Sequence, residues 1–580
     1  MTKQSPLETA RAWAQNPLFD LAFRQEIQTL LDSGAEAELT DRFYQDLDFG
    51  TGGLRGIMGA GSNRMNLYTV RRATQGLANY ILQLGLPQPS VAIAHDSRNN
   101  SALFTLETAK VLAANGIKAW VYKVLTPTPM LSFAVRELHC TAGIIITASH
   151  NPKEYNGYKV SWSDGCQVTP PHDKGIIDQV NLVDFAAIKV MEESAARSQG
   201  LLQDIPPEVE ERYYHHVTAL SQTHGDANAD FPLLYTPLHG TGKVPVTTIL
   251  GMRGFKKCRL VAGQAEPDGN FSTLHSPNPE EQGAFELAME EADEDAKLIL
   301  ATDPDADRVG CMVKHQGEWE ILNGNQIGQI LLFYYLSKLK ENQRLPKHGV
   351  FVTTIVTSGL AGKIAAKFGL RVVEVLTGFK WIGKVMAELD ETGKEVFVMG
   401  TEESHGYLFG DFVRDKDAMI ACMLLAEAAA ELALFNLTLV DLLNQIHHIY
   451  DFHTDALVNK TIKGKSGQEK IKTIMQRLRE APPTFIGGIS VERITDYKLR
   501  KIVESATGNS LGAPVQPASD VIAFLMNDGS RITARPSGTE PKIKFYFNLC
   551  GKNANHLAIQ RELYIRDFNN LIDEYSNGSI

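Results

Sequence analysis

The sequence has few cysteines, no long apolar run and no excess of positive charge. Its six cysteines are scattered without a CxxC pair, which argues against a disulfide framework or a zinc cluster and favours reduced thiols in a cytoplasmic protein. No apolar stretch approaches the ~20 residues that a membrane-spanning helix needs, and the polar first residues lack the apolar core of a signal peptide. We therefore expect a cytoplasmic protein with no membrane partner.

The charge balance is acidic, with a formal net charge of -11 at pH 7. Its average field repels nucleic acid and anionic membranes, so neither partner is expected. An anionic small molecule is compatible with this charge, because local lysine and arginine side chains can outweigh the mean field. The 580 residues are too many for one core, and a prior of ~150 residues per domain predicts about four domains.

Two common kinds of nucleotide-binding loop are also absent. The glycines of FGTGGLRGIMG, residues 49–59, miss the GxGxxG spacing and follow helix-like residues rather than a strand, so a dinucleotide-binding loop is not predicted. Gly464-Lys465-Ser466 lacks the upstream glycine of a P-loop. In a flexible glycine-rich loop, Arg55 can instead reach a phosphate.

An internal repetition organises most of the chain. The stretches VLAANGIKAWVYKV, ILGMRGFKKCRLV and IAAKFGLRVVEV each lead from helix-like residues through a glycine and a cationic residue into an apolar strand. Gly116, Gly254 and Gly369 are expected to take the left-handed conformation that ends a helix. With the apolar strands upstream, these βαβ units predict three similar α/β domains with mainly parallel, mixed sheets.

The C-terminal part has a different pattern. From about Phe452, a basic helix-like stretch is followed by two strand-like stretches and an amphipathic helix with Leu557, Phe568 and Ile572 on one side. This pattern predicts a smaller C-terminal α+β domain. The predicted domains span 1–205, 206–325, 326–452 and 453–580, with Ser194–Pro207 as the first linker.

The stretch LILATDPDADRVGCMV carries Asp303, Asp305 and Asp307 between two apolar strands. Alternate residues of an extended segment point the same way, so the three carboxylates can converge on one hard cation. An EF-hand loop is excluded, because its sixth position would be Arg308 and its twelfth Lys314. Three carboxylates without a closed cage suit Mg²⁺, and a polar turn between strands is the plain structural alternative.

Ser149 and His150 stand side by side after a buried-looking strand in GIIITASHNPKEYNGYKV. Such a pair raises the question whether Ser149 is a hydrolase-type nucleophile with His150 as its base. These residues alone leave the question open.

Two further stretches combine polar groups that suit a phosphosugar. SRITARPSGTEPKIKFYF places a guanidinium, two hydroxyls and a glycine between two strands, which makes either an anion cradle or an ordinary hairpin turn. VMGTEESHGYLFGDFVRDKDA crowds two glutamates, a serine and a histidine after a strand. Carboxylate and hydroxyl groups together can hold vicinal sugar hydroxyls, and a solvated acidic loop is the alternative.

Together, these stretches resemble the α-D-phosphohexomutase superfamily over nearly the whole chain. TASHNP, DPDADR, GTEES and RPSGTEP occur in that family's order and at its approximate separations. TGFKW, Thr377 to Trp381, resembles the stretch that carries a lysine in the phosphoglucomutase branch. The resemblance implies three α/β domains and a smaller α+β domain around a central cleft, which closes to exclude water.

The resemblance also implies that Ser149 is a resident phosphoserine rather than a hydrolase nucleophile. Lysine surrounded by cations would have a lowered pKa, which suits the general acid or base that Lys159 is implied to be. His150, which an extended loop would point away from Ser149, is implied to orient phosphate or relay a proton. The implied catalytic residues are Ser149, Lys159, His150 and Arg55; the metal ligands are Ser149, Asp303, Asp305 and Asp307; the substrate-binding residues are Arg308, Lys380, Glu402, Ser404, Lys416, Arg535, Ser537, Gly538 and Thr539.

The implied reaction interconverts glucose 1-phosphate and glucose 6-phosphate, as a phosphoglucomutase does. Mg²⁺ is the implied cofactor, glucose 1,6-bisphosphate the intermediate and activator, and a monomer or homodimer the expected state. The histidine that follows Ser404 favours the alternative branch of phosphopentomutases and glucose-1,6-bisphosphate synthases, and a phosphomannomutase is a further alternative. A metal-dependent phosphatase and a phosphosugar-binding protein of low turnover are the candidates from other classes.

Overall fold

A computed structural model describes residues 5–50, 52–462, 465–537 and 542–577. The chain forms two compact units that interleave along the sequence. Unit 1 comprises Met1–Gly324, Phe379–Gly400 and Ser404–Thr438, and unit 2 comprises Asn325–Gly378, Thr401–Glu403 and Leu439–Ile580.

Three helices open unit 1: α1 Pro6–Gln15, α2 Leu21–Asp32 and α3 Glu36–Phe43. A capping box begins α1, because the Ser5 hydroxyl accepts the N–H of Glu8 while the Glu8 carboxylate accepts the N–H of Ser5. An aromatic cluster joins the helices, with the rings of Trp13 and Phe19 stacked 4.4 Å apart.

The first sheet lies within unit 1. Its segment contains β1 Gly53–Ile57, α4 Leu67–Gln83, β2 Ser90–His95, α5 Ser101–Ala114, β3 Lys118–Val121, α6 Thr128–Glu137, β4 Ala142–Ile146, β5 Tyr155–Trp162, α7 His172–Leu182, α8 Glu193–Ser198 and β6 Leu202–Asp204. The strand order is β1-β5-β4-β2-β3-β6. Strands β4, β2, β3 and β6 run parallel to one another, whereas β5 is antiparallel to both β4 and the edge strand β1. Continuous apolar runs form β2 and β4 because both faces of these central strands are buried.

The predicted linker Ser194–Pro207 is wrong. Most of it forms α8 and β6, and Leu202 in β6 is buried and pairs with Ala119 in β3. The polar composition of the stretch reflects an amphipathic helix and an edge strand rather than an exposed connection.

The second sheet also lies in unit 1. Its segment contains α9 Pro207–Ala219, β7 Leu233–Thr236, α10 Lys243–Met252, β8 Cys258–Leu260, α11 Glu286–Glu290, β9 Leu298–Thr302, β10 Val309–His315 and β11 Glu318–Leu322. The order is β11-β10-β9-β7-β8, with β7 parallel to β8 and β9, and with β10 antiparallel to β9 and β11. The connection between β9 and β10 holds the three aspartates.

The next segment contains α12 Gly324–Glu341, β12 Gly349–Thr354, α13 Gly359–Lys367, β13 Arg371–Val375, α14 Phe379–Thr392, β14 Val396–Glu402, β15 Gly406–Phe409, α15 Ala418–Ala433 and α16 Leu439–Tyr450. In unit 2, β12 and β13 are parallel neighbours, and helix α13 connects them along the chain. The predicted glycine caps are confirmed, because Gly116, Gly254 and Gly369 have φ angles of 74°, 84° and 85° directly after their helices.

The last part of unit 2 is built on antiparallel strands. It contains β16 Phe452–Thr461, α17 Lys465–Glu480, β17 Phe485–Ile486, β18 Ile489–Asp496, β19 Lys501–Glu504, β20 Ser510–Gly512, β21 Ile522–Met526, β22 Arg531–Pro536, β23 Lys542–Gly551 and α18 Ala554–Asn577. The order is β16-β23-β22-β21-β18-β19-β20, with β17 beside β18. The predicted mixed α/β domains with a smaller C-terminal α+β domain are thus confirmed, while the exact boundaries stay predictions.

The amphipathic C-terminal helix gives a test of the packing. Phe568 in α18 is fully buried, with its ring 5.1 Å from that of Phe545 and 5.7 Å from that of Phe547. Because Phe568→Ala removes this ring and leaves a cavity, it should destabilise the C-terminal domain by about 3–5 kcal/mol, seen by calorimetry as a lower melting temperature. Ile559→Ala, on the exposed side of the same helix, should change stability by less than about 0.5 kcal/mol. Equal shifts in the two variants would contradict this packing.

Within the part of the chain that the structure describes, no helix combines the length and apolar character needed to cross a membrane.

Candidate active site

Ser149 lies in the loop that joins β4 to β5, at the carboxyl end of a buried central strand. Its backbone is left-handed, with φ of 53°, and its N–H donates to the Thr147 hydroxyl at 2.9 Å. Such a conformation is uncommon for a residue with a side chain and persists only where the surroundings hold it. The Ser149 hydroxyl is buried and donates to Asp303 Oδ2 at 2.7 Å.

His150 lies beside the Ser149 hydroxyl rather than opposite it. Its Nδ1 is 3.2 Å from Ser149 Oγ. The expectation that the two side chains point to opposite sides is therefore wrong, because the left-handed turn at Ser149 replaces the extended loop on which it rested. Burial, followed by the charges of Arg308 and Arg55, lowers the pKa of His150 well below its usual value, so the imidazole is neutral at pH 7.

The three aspartates converge, although by a different route from the one predicted. They occupy a tight turn between β9 and β10, in which the Ala306 N–H donates to the Asp303 carbonyl at 2.9 Å and Ala306 has φ of 48°. Asp303 Oδ1 accepts the backbone N–H groups of Asp307 and Arg308 at 3.1 and 3.0 Å. The turn, rather than the alternation of an extended strand, thus brings the carboxylates together.

The carboxylate cluster, here defined as Asp303, Asp305 and Asp307, is buried, and the three can each offer an oxygen within 4.8 Å of the others. Burial, followed by the negative neighbours, raises the pKa of Asp303 well above its usual value and also raises that of Asp307. Burial opposes ionisation of Asp305 too, but the Lys159 ammonium lowers the pKa of this carboxyl below its usual range. Crowding of buried carboxylates thus disfavours the ionised forms of Asp303 and Asp307, and a bound cation would favour them.

Two lysines from distant parts of unit 1 reach this cluster. Lys159 Nζ on β5 lies 2.7 Å from Asp305 Oδ2 and 3.8 Å from Asp307 Oδ2. Lys416 Nζ lies 3.1 Å from Asp307 Oδ2. Lys159 therefore contacts two carboxylates and shares Asp307 Oδ2 with Lys416, and the expectation that cations surround it stays a prediction. Lys416, predicted to bind substrate, lies at the carboxylate cluster itself.

The cluster fits a hard divalent cation. Among the described residues, no hydrogen-bond donor reaches Oδ1 of Asp305 or Oδ1 of Asp307, although both atoms are buried. Buried carboxylate oxygens without donors carry a large desolvation cost unless a metal ion coordinates them. Together with Asp303 and the Ser149 hydroxyl, they supply the oxygen ligands that Mg²⁺ prefers.

Two predicted arginines lie on the border of this centre. Arg55 is on β1, opposite Gly157 of β5, and its Nη1 donates to Asn151 Oδ1 at 3.3 Å. The expectation of a flexible loop is wrong there, because the glycines of this stretch allow a strand to form against β5. Arg308 Nη1 contacts Glu280 Oε1 at 2.6 Å.

The remaining substrate-binding predictions fall elsewhere in the chain. In unit 1, Lys380 lies with its ammonium 5.3 Å from the Trp381 ring, and burial lowers its pKa. Ser404 lies in the turn between β14 and β15. In unit 2, Glu402 Oε1 accepts the N–H of Gly378 at 2.8 Å. Their roles toward a sugar stay predictions.

The predicted phosphate cradle is described only in part. Arg535 is on β22, and the Ser537 N–H donates to the Lys542 carbonyl at 2.7 Å. Gly538 and Thr539 lie outside the described residues. The cradle therefore also stays a prediction.

Sequence reasoning missed two residues that hold the centre. Thr128, the first residue of α6, donates its N–H to the Asp305 carbonyl at 2.9 Å and its hydroxyl to Asp305 Oδ2 at 3.0 Å. Glu280 holds Arg308. Thr128 belongs to a Thr-Pro pair that marks a helix start, but nothing in the sequence connects it to an aspartate far along the chain.

A buried serine hydroxyl thus donates to one member of a cluster of three carboxylates that could hold a metal ion. Four family models of the phosphoglucomutase/phosphomannomutase family match in succession. The α/β/α domain I matches residues 46–187, domain II 211–317, domain III 323–449 and the C-terminal domain 495–557. The resemblance to the α-D-phosphohexomutase superfamily is thereby confirmed.

Individual relatives agree with this assignment. A phosphoglucomutase of Staphylococcus haemolyticus is 37% identical over 529 residues, 90% of this chain and 94% of the relative. A phosphoglucomutase of Staphylococcus aureus is 36% identical over 92% of this chain and 95% of the relative. The chain belongs to the phosphoglucomutase/phosphomannomutase family.

A solved structure supports the fold independently. The phosphoprotein pp63/parafusin of Paramecium, a phosphoglucomutase in its open form, is 19% identical, with a TM-score of 0.66 over 92% of this chain and 95% of that chain.

Proposed function

We propose that this chain interconverts glucose 1-phosphate and glucose 6-phosphate, with Ser149 as the phosphoryl carrier. The observation that carries the proposal is the buried Ser149 hydroxyl, 2.7 Å from Asp303 in a cluster of three carboxylates. The curated relatives named phosphoglucomutase support glucose phosphates as the substrates. A hydrolase reading of Ser149 is disfavoured, because a carboxylate cluster would repel the oxyanion that acyl transfer develops.

Two phosphoryl transfers make up the proposed reaction. In the first, the C6 hydroxyl oxygen of glucose 1-phosphate bonds to the phosphorus of phospho-Ser149 while the bond from that phosphorus to Oγ breaks. The proton of the sugar hydroxyl is delivered to Oγ, and glucose 1,6-bisphosphate results. In the second, Oγ bonds to the phosphorus on C1, the bond from that phosphorus to the C1 oxygen breaks, and the proton returns to this oxygen. Glucose 6-phosphate leaves and the phosphoserine is restored.

The chain's own groups suit the handling of this proton. His150 is neutral, and its Nδ1 lies 3.2 Å from Ser149 Oγ. The imidazole can therefore share a proton with this oxygen through a hydrogen bond. Lys159, which Asp305 fixes at 2.7 Å, is proposed to exchange the proton with the sugar hydroxyl.

Asp303, Asp305 and Asp307, with the oxygen on Ser149, would hold Mg²⁺. When bound, the ion would neutralise charge on the phosphoryl group as it transfers. Arg308 is fixed by Glu280 at 2.6 Å and is proposed to bind phosphate oxygens beside this centre.

The sugar and the distal phosphate are assigned to residues whose roles the family resemblance implies. Glu402 and Ser404 are proposed to bind the O3 and O4 hydroxyls, and Arg535 and Ser537 the distal phosphate, together with Gly538 and Thr539. Lys380 and Lys416 are proposed to adjust how the phosphosugar fits the site. A cytoplasmic location and a monomeric or homodimeric state complete the proposal.

A direct test compares kcat/KM for glucose 1-phosphate, mannose 1-phosphate and ribose 1-phosphate, with Mg²⁺ and a trace of glucose 1,6-bisphosphate. Free phosphate is measured in the same samples. We expect the highest kcat/KM for glucose 1-phosphate and no release of free phosphate. A preference for ribose or mannose would contradict the proposed substrate, stoichiometric phosphate release would indicate a phosphatase, and no turnover would favour a binding protein.

A further inference from the structure

Arg98 lies between β2 and α5, on a different element from every group assigned to the reaction. Its side chain is 0% exposed. A guanidinium keeps its charge in any protein interior, so burying it is costly unless its N–H groups find acceptors. Its acceptors therefore indicate what the residue is placed to do.

Those acceptors are four backbone carbonyls of a single loop. Arg98 Nη2 donates to the carbonyl of Ser149 at 2.5 Å and also to that of Asn151. Nη1 donates to the carbonyls of Pro152 at 2.8 Å and Tyr155 at 3.1 Å. One planar group thus fixes the loop from Ser149 to the start of β5.

Asp96 and Phe271 lie against the guanidinium itself. Asp96 Oδ1 accepts the Arg98 backbone N–H at 2.9 Å and the Ser101 hydroxyl at 2.9 Å, while Asp96 Oδ2 lies 3.2 Å from Arg98 Nε. The Phe271 ring lies 5.0 Å from the guanidinium carbon. This arrangement is prepared before any substrate arrives, which is the property of a positioning group.

We propose that Arg98 is a positioning residue for phosphoryl transfer, because it fixes the left-handed backbone at Ser149 and so aims Oγ at the carboxylate cluster. Fixing the carbonyl of Ser149 fixes the adjacent peptide planes, and the φ of 53° at Ser149 then directs the side chain toward Asp303. The expected effect of Arg98 on turnover rests on the proposed function. The restraint that Arg98 places on the loop does not depend on that function.

Arg98→Lys is the informative variant, because it retains the charge beside buried Asp96 while replacing a planar fork of five N–H donors with a single ammonium. An ammonium cannot reach four carbonyls spread along the loop. We expect kcat to fall by about 100-fold, the usual effect of a misplaced reacting group, while KM for glucose 1-phosphate changes less than about threefold.

Hydrogen exchange measured by mass spectrometry gives a readout that does not need activity. Peptides that cover residues 149–156 should exchange faster in Arg98→Lys than in the wild-type protein, with peptides of β7 and β9 unchanged. Arg253→Lys is the matched control, since Arg253 is also largely buried and ion-paired to Glu427 at 2.6 Å but lies outside the centre. It should keep wild-type kcat and wild-type exchange in residues 149–156.

The outcomes separate the two hypotheses. If the wild-type protein turns over none of the phosphosugars, the proposed function fails, and faster exchange in residues 149–156 of Arg98→Lys alone still supports Arg98 as the restraint on the loop. Unchanged kcat and unchanged loop exchange in Arg98→Lys would overturn the inference. Equal losses of kcat in Arg98→Lys and Arg253→Lys would also overturn it, because a general loss of packing would then explain both.

Discussion

Ser149→Ala is expected to lower the turnover of glucose 1-phosphate by about 10³-fold or more, with the fold intact. The variant removes the only oxygen at this position that can carry a phosphoryl group, and loss of a covalent nucleophile has effects of this size. The Ser149 hydroxyl makes one short hydrogen bond, to Asp303 at 2.7 Å, so its removal should alter stability little. Activity is measured with Mg²⁺ and glucose 1,6-bisphosphate, and phosphorylation is measured from the mass of the peptide that contains residue 149.

Ser163→Ala is the matched control for this experiment. Ser163 follows β5 and is exposed, so its loss should change neither turnover nor the phosphorylation of the protein. Turnover near the wild-type value in Ser149→Ala, or a phosphorylated peptide elsewhere that exchanges with substrate, would contradict the assignment of Ser149 as the carrier.

Asp305→Asn is expected to lower Mg²⁺-dependent turnover by about 100-fold or more and to weaken the stabilisation that Mg²⁺ gives to the fold. Asp305 supplies a buried oxygen with no hydrogen-bond donor among the described residues and holds the Lys159 ammonium at 2.7 Å. An amide keeps the size of the side chain but lacks the charge that a hard cation requires. The rise in melting temperature on adding Mg²⁺ measures binding directly, because a ligand that binds the folded state stabilises it.

Asp293→Asn serves as the control for the loss of a carboxylate. Asp293 is exposed, pairs with Arg259 at 2.8 Å and is not a member of the carboxylate cluster. It should retain wild-type turnover and a wild-type response to Mg²⁺. If Asp305→Asn keeps the wild-type response as well, the carboxylate cluster is not the metal site.

Much of the fold could be predicted from local sequence alone. A glycine after a helix-like run fixes a helix end, so Gly116, Gly254 and Gly369 were predictable from the left-handed conformation that only glycine adopts without cost. The apolar runs of β2 and β4 and the apolar side of α18 were predictable from burial. The three aspartates were predictable as a group because they are close neighbours in the sequence.

The predictions failed where the conformation of a loop depends on distant residues. The position of His150 beside Ser149 requires a positive φ that Arg98 helps to hold, and no periodicity signals it. Lys416 reaches Asp307 from beyond β15, and Thr128 reaches Asp305 across 177 positions of sequence. Such contacts arise when separate α/β segments pack together, so they are visible only in the folded chain.

The measurement that tests the central claim most directly is a single-turnover experiment on the phosphorylated protein. Protein phosphorylated at Ser149 with a ³²P label is mixed with glucose 1-phosphate and Mg²⁺, and the label is followed in the protein, the bisphosphate and free phosphate. We expect the label to leave Ser149 and to appear in glucose 1,6-bisphosphate and glucose 6-phosphate, at a rate no slower than kcat. Label that remains on the protein throughout turnover, or that appears as free phosphate, would contradict Ser149 as the carrier between the two positions of the sugar.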